Sequence, residues 1–114
     1  MTDTLARLEA TIRERRTADP ASSYVAKLTA AGRAKIAQKV GEEAVETVIA
    51  ALGEAPDKLT AEAADLLFHL LVLLADAGVS LEDVTTELAR REGLSGLDEK
   101  AARGGKPLPL PRAT

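Results

Sequence analysis

The chain has no cysteine and no tryptophan, and only one phenylalanine and one tyrosine in 114 residues. Lack of cysteine excludes disulfides, thiolate zinc sites and cysteine nucleophiles. With so few aromatics, the core must be aliphatic, and alanine and leucine dominate the composition, as in a packed helical bundle. No excess of positive charge exists: the net charge is −3, which argues against a general nucleic-acid footprint. The longest apolar run, Leu66 to Ala75, is interrupted by His69 and is far too short to span a bilayer. No basic stretch followed by an apolar one opens the sequence, so no signal peptide is expected and the chain reads as soluble and cytoplasmic. Glycine-rich phosphate-loop sequence is also missing.

What the sequence does have is helical punctuation. A first helix is expected from near Thr2 or Asp3 to about Arg16, with Leu5, Leu8 and Ile12 on one side. Pro20 stops it within the loop Thr17–Ser23. A short helix runs from about Ser23 to Ala31 and is stopped by Gly32. The third is expected from about Ala34 to Leu52, ending at Gly53. Its apolar positions Ile36, Val40, Ala44, Val48 and Leu52 keep a four-residue step, with the charged residues on another face. Gly41 within it costs about 1 kcal/mol relative to alanine and suggests close approach by a helix or ligand.

The fourth helix follows Pro56-Asp57 and closes at Gly78. It is apolar all round from Leu66 to Leu74 except for His69, more than a bundle of this size covers alone, so a homodimer is expected. Ser80-Leu-Glu-Asp83 resembles a capping box and opens a fifth helix to about Arg91. The fold class is therefore all-α: one bundle of about five helices, dimeric, with the Leu66–Leu74 helix at the centre. Residues 1–93 form the domain and 94–114, rich in Pro and Gly, a partly mobile tail.

The acids carry the chemistry. Lys39-Val-Gly-Glu-Glu-Ala-Val-Glu46 is answered by Glu62-Ala-Ala-Asp65 on the next helix. Residues three and four apart share a helix face, so Glu42, Glu43 and Glu46 form one cluster and Glu62 and Asp65 another. The alternative is a solvated face with Lys39–Glu43 and Lys39–Glu42 ion pairs, but Lys before Glu is the weaker order, contributing only ~0.2–0.5 kcal/mol. Glu62 and Asp65 moreover adjoin the most apolar segment, where charge needs a partner. A hard cation between the helices, Mg²⁺ or in substitution Mn²⁺, resolves the repulsion. His69 extends the acidic stripe but reads best as a core histidine bonded to a carboxylate or carbonyl. The Glu-x-x-His spacing of di-iron bundles is missing. Tyr24, Lys27, Arg33, Lys35 and Lys39 lie just upstream, and cations beside such a site suit a polyphosphate substrate. Metal-assisted hydrolysis of a phosphoanhydride follows, and these residues do not exclude transfer to another acceptor.

These residues also carry a family resemblance. Ser23-Tyr-Val-Ala-Lys-Leu28, Lys35 through Thr47, Glu62 through Leu74, Gly78 through Val84 and Ser95 through Arg103 closely resemble the phosphoribosyl-ATP pyrophosphohydrolases of histidine biosynthesis, within the MazG-like all-α pyrophosphatases. Phe68 departs mildly from the family, where tyrosine is frequent. The resemblance implies a homodimeric, Mg²⁺-dependent enzyme that releases pyrophosphate from phosphoribosyl-ATP to leave phosphoribosyl-AMP. It maps metal ligands onto Glu43, Glu46, Glu62 and Asp65. Glu42, an additional acid, binds metal or positions the water, and is preferred as its proton acceptor. Lys35 and Lys39 would meet phosphates, with Lys100 and Arg103 closing from the tail. The next activity of the pathway, a cyclohydrolase resembling cysteine-ligand zinc proteins, would be a separate protein. Two rival readings stand beside it. One is a house-cleaning nucleoside triphosphate pyrophosphatase with the same metal site. The other is a non-catalytic helical dimerisation module, which predicts no metal dependence of stability.

Overall fold

In the computed structural model, residues 2–53 and 55–92 are described, and they form five helices with no strand among them. Helix α1 spans Thr2–Arg15, α2 Tyr24–Ala31, α3 Arg33–Gly53, α4 Pro56–Ala77 and α5 Leu81–Arg91. No single helix among the described residues is long and apolar enough to cross a membrane. The tail 94–114, with Lys100 and Arg103, lies outside the described residues, as does the expected domain boundary at residue 93.

The boundaries follow local chemistry. The loop after α1 is tied by Asp19, whose side chain accepts from the backbone N–H of Ala21 and whose carbonyl accepts from Ser22 and Ser23. Ser23 then caps α2, its hydroxyl accepting from Ala26 N–H. Gly32, at φ +103°, both ends α2 and starts α3. Its N–H donates to the carbonyls of Leu28 and Thr29, and its carbonyl accepts from Lys35 and Ile36. Pro56 opens α4 after extended Ala55, where its missing N–H costs nothing. At the other end Gly78 is left-handed at φ 75°, and Val79 N–H reaches back to Leu74.

Helices α3 and α4 are the long pair, 21 and 22 residues, and make the dominant packing contact. They run antiparallel: Arg33 meets Asp76, Glu43 lies with Glu62 and Asp65, and Thr47 bonds the Glu62 carbonyl. The core, Ile12, Val25, Leu28, Ile36, Leu71 and Val72, gathers at one end of this hairpin, where α1 packs on α4 and α2 on α3. Leu5, Leu8, Phe68, Leu73 and Leu74 extend it.

The four-residue stripe of α3 behaves differently from the expectation. Ile36 is fully buried, Val40 and Ala44 are half-buried, but Val48 is 57% and Leu52 84% exposed. A step of four residues turns about 400°, so the stripe slips about 40° per step and about 160° from Ile36 to Leu52. Its far end therefore leaves the core. Val45, Val48, Ile49 and Leu52 instead make an exposed apolar face, and Leu67 of α4 is exposed as well. Beside Gly41 the space is open.

Chain contacts divide the molecule into residues 1–81 and a second unit beginning at Glu82. In that second unit α5 carries its own ion pairs, with Glu87 accepting from Arg90 at 2.8 Å and Arg91 at 2.9 Å.

Candidate metal centre

Glu43 faces α4 from the middle of α3 and is only 8% exposed despite its charge. Across from it stand Glu62, half-buried, and Asp65, exposed. One carboxylate oxygen from each of the three lies within 4.8 Å of the others. The two expected clusters are thus brought together through these three acids. Thr47 locks the helix pair at this level: its hydroxyl lies 2.8 Å from the Glu43 carbonyl and 3.3 Å from that of Glu62.

Oxygen Oε1 of Glu43 and Oε1 of Glu62 are both shut from solvent, and neither has a hydrogen-bond partner among the described residues. A buried acceptor left unpaired costs about 1–3 kcal/mol, and more when charged. The cations at hand do not supply the missing bonds. Lys39 Nζ stands 4.0 Å from Glu43 Oε2, and Lys58 Nζ 3.9 Å from Glu62 Oε2, both on the outer oxygens. Burial pushes the Glu62 carboxyl above its ordinary value, and the charges of Glu46, Glu43 and Asp65 push it the same way against Lys58. Converging oxygen donors, orphaned inner oxygens and like charge are what a hard divalent cation neutralises, so these residues fit Mg²⁺ or Mn²⁺.

Glu46 is exposed and stands beside the three-acid group rather than within it. Its charge acts on Glu62, and the two line an open hollow with Ile49, Ala50 and Lys58. Glu42 is exposed too. It accepts from Gln38 at 2.8 Å and Lys39 at 3.3 Å, and these bonds, Gln38's first, hold its carboxyl below the usual range. Lys39 is in turn raised, chiefly by its bond to Glu42. Lys35 and Lys27 are exposed.

Two of the upstream residues expected near phosphate are occupied elsewhere. Arg33 donates to the side chain and carbonyl of Asp76, both at 2.9 Å, at the core end of the hairpin. Tyr24 meets His69 Nε2 at 2.8 Å. His69 Nδ1 lies 2.8 Å from the Asp65 carbonyl, an obligate acceptor, so Nδ1 donates. In the neutral ring Nε2 then accepts from the Tyr24 hydroxyl. The histidine is 5% exposed and bonded to a carbonyl, the role its spacing suggested, with Tyr24 and Phe68 packed around it. Lys58 is the neighbour that sequence reasoning missed. Its place four residues before Glu62 was the available signal.

A helical hairpin that brings three acids together, two with stranded oxygens, defines an all-α protein with a carboxylate centre fit for a divalent cation. Residues 5–92 match the sequence profile described as phosphoribosyl-ATP pyrophosphohydrolase. The chain belongs to that family. It is 68% identical over 102 residues to the phosphoribosyl-ATP pyrophosphatase of Erythrobacter litoralis, covering 90% of this chain and 98% of the relative. The Novosphingobium aromaticivorans protein of the same name is 66% identical over 99 residues, covering 87% and 92% respectively. That of Zymomonas mobilis is 63% identical over 101 residues, covering 89% and 94%.

Proposed function

We propose that this chain hydrolyses phosphoribosyl-ATP to phosphoribosyl-AMP and pyrophosphate, an early step of histidine biosynthesis in the cytoplasm, and that it depends on Mg²⁺ to do so. The observation that carries the chemistry is the pair of buried, unpartnered oxygens on Glu43 and Glu62. The family and the names of its relatives supply the substrate.

Glu43, Glu46, Glu62 and Asp65 are the residues that would hold the cation. Bound there, Mg²⁺ supplies charge neutralisation for the triphosphate and for the leaving pyrophosphate. Thr47, bonded within α3 to the Glu43 carbonyl and across to that of Glu62, ties α3 to α4, so the acids are set before substrate arrives. Lys39, half-buried and tied to Glu42, and exposed Lys35 face incoming phosphate with positive charge. Lys100 and Arg103 would add to this from the tail. Water attacks the α-phosphorus, the bond from that phosphorus to the bridging oxygen breaks, and pyrophosphate departs. Glu42, kept ionised by Gln38 and Lys39, takes the water's proton.

The active form is proposed to be a homodimer. The exposed face of Val45, Val48, Ile49 and Leu52 supports pairing with a second copy, because it follows the i, i+3, i+4, i+7 spacing of a packed helix. Val48→Glu should turn a dimer into a monomer by analytical ultracentrifugation; an unchanged mass would place the interface elsewhere.

The direct test is pyrophosphate release from phosphoribosyl-ATP with and without Mg²⁺, alongside ATP and dCTP. Turnover confined to phosphoribosyl-ATP and dependent on metal is expected. Turnover of the simple nucleotides would move the chain to the house-cleaning branch, and no turnover would favour a structural module. Glu46→Gln tests the least central of the four ligands. It should nearly abolish turnover in a folded protein, and a near-normal rate would remove Glu46 from the set.

A further inference from the structure

Two lysines flank the carboxylates, and they are held in unlike ways. Lys39 is anchored: it bonds Glu42 at 3.3 Å and also stands 4.0 Å from Glu43, with its side chain mostly covered. Lys58, on the first turns of α4, meets Glu62 at 3.9 Å, beyond hydrogen-bond reach, and its side chain is 56% exposed. A pair of that kind is weak and easily exchanged. A divalent cation brings twice the charge and direct contact with the same carboxylate, so it wins Glu62 from the ammonium.

We propose that Lys58 is an exchangeable counter-ion: it neutralises Glu62 while the centre lacks metal, leaves when a divalent cation binds, and then contacts the phosphate that the cation brings in. This rests on the proposed metal centre and goes beyond it, since Lys58 is neither a ligand nor one of the cations assigned to phosphate above. Once Glu62 is taken, the four-carbon stem of Lys58 keeps its ammonium beside the hollow it shares with Glu46 and Ile49. A free cation at the edge of an anion site is the natural contact for phosphate oxygens. Lys39 does not make this exchange, because Glu42 retains it.

The test uses Mn²⁺ and pyrophosphate on the full chain, with wild type, Lys58→Met and Lys58→Arg. Mn²⁺ binding alone, followed by electron paramagnetic resonance, should tighten about two- to fivefold in Lys58→Met, the worth of one exposed ion pair removed as competitor. Pyrophosphate binding to the Mn²⁺-loaded protein, followed by calorimetry, should weaken about three- to tenfold in the same variant. Lys58→Arg should stay near wild type in both. Damage to the fold would weaken both affinities together, so the opposed signs identify the exchange. Unchanged or weaker Mn²⁺ binding in Lys58→Met would overturn the counter-ion role. Unchanged pyrophosphate binding would overturn the phosphate contact. Failure of wild type to bind Mn²⁺ would overturn the metal centre itself, and the exchange with it.

Discussion

Helix α4 carries two carboxylates that are sheltered almost equally and treated in opposite ways. The side chain of Asp76, near its C-terminus, is 14% exposed, and that of Glu62, near its N-terminus, 13%. Asp76 accepts from Arg33 at 2.9 Å and Arg16 at 3.1 Å, which pins the ends of α1 and α4 to the start of α3. Those bonds, Arg33's first, hold its carboxyl below the ordinary value even though burial and the negative end of the helix work against them. Glu62 has one distant lysine and three acids for neighbours, and its carboxyl is pushed up. Equal shelter therefore does not make equal roles. A buried charge with its bonds completed is a structural pin, whereas one with an inner oxygen left bare by the described residues is suited to a ligand.

The sharpest way to break this contrast is to neutralise each acid in turn. Glu62→Gln should cut turnover by more than about a hundredfold, since even residues that merely support ligands cost ten- to a hundredfold. Yet the metal-free protein should be as stable as wild type or more so, because a repelled, half-satisfied charge is gone. A marked loss of stability without metal would mean that Glu62 is pinned much as Asp76 is.

Asp76→Ala should do the reverse. Two charge-assisted bonds are lost, but Arg33 is well exposed and finds water, so the cost is about 1–2 kcal/mol. For a domain of this size the melting midpoint falls by about 4–8 °C per kcal/mol. Turnover per folded molecule should remain, because Arg16, Arg33 and Asp76 sit at the core end of the hairpin, away from the acids. Lost turnover in a folded Asp76→Ala protein would tie the two ends of α4 together functionally.

Much of this was legible in the residues, and what was not has a physical reason. Helix ends were readable because Ser23, Gly32, Pro56 and Gly78 act on their own backbone within one turn. The acidic centre was readable because Glu43, Glu62 and Asp65 repeat at helical spacing on consecutive helices. Arg33 reads from sequence as one of the phosphate cations because its true partner, Asp76, lies 43 residues away, and no local pattern announces such a pair. Val48 and Leu52 read with Ile36 because a four-residue step looks like a stripe, although it drifts around a 3.6-residue helix. Which end of a long hairpin receives α1 and α2 is decided by tertiary packing, and periodicity within α3 does not encode it.

The smallest effect lies in pH, where the two carboxylates pull in opposite directions. Asp76 has a folded pKa below its ordinary 3.8, so its contribution is present above that value and disappears as pH falls through the folded pKa. Glu87, pushed down to about 2 by Arg90 and Arg91, adds to the same acid limb. Glu62 has a folded pKa above 4.5, so between that pKa and 4.5 the folded state binds the proton more readily and falling pH adds stability. Urea midpoints of metal-free protein should therefore carry a Glu62-dependent rise as pH drops from neutral toward 4.5, followed by a decline below about 3.8. Glu62→Gln should remove the rise and leave the decline, while Asp76→Asn should soften the decline and leave the rise. Saturating Mg²⁺ should invert the first limb, because a ligated carboxylate resists protonation and metal is lost as pH falls. If Glu62→Gln left the neutral-to-acid slope untouched, Glu62 would not be the strained charge of the pair, and the contrast between the two ends of α4 would fail.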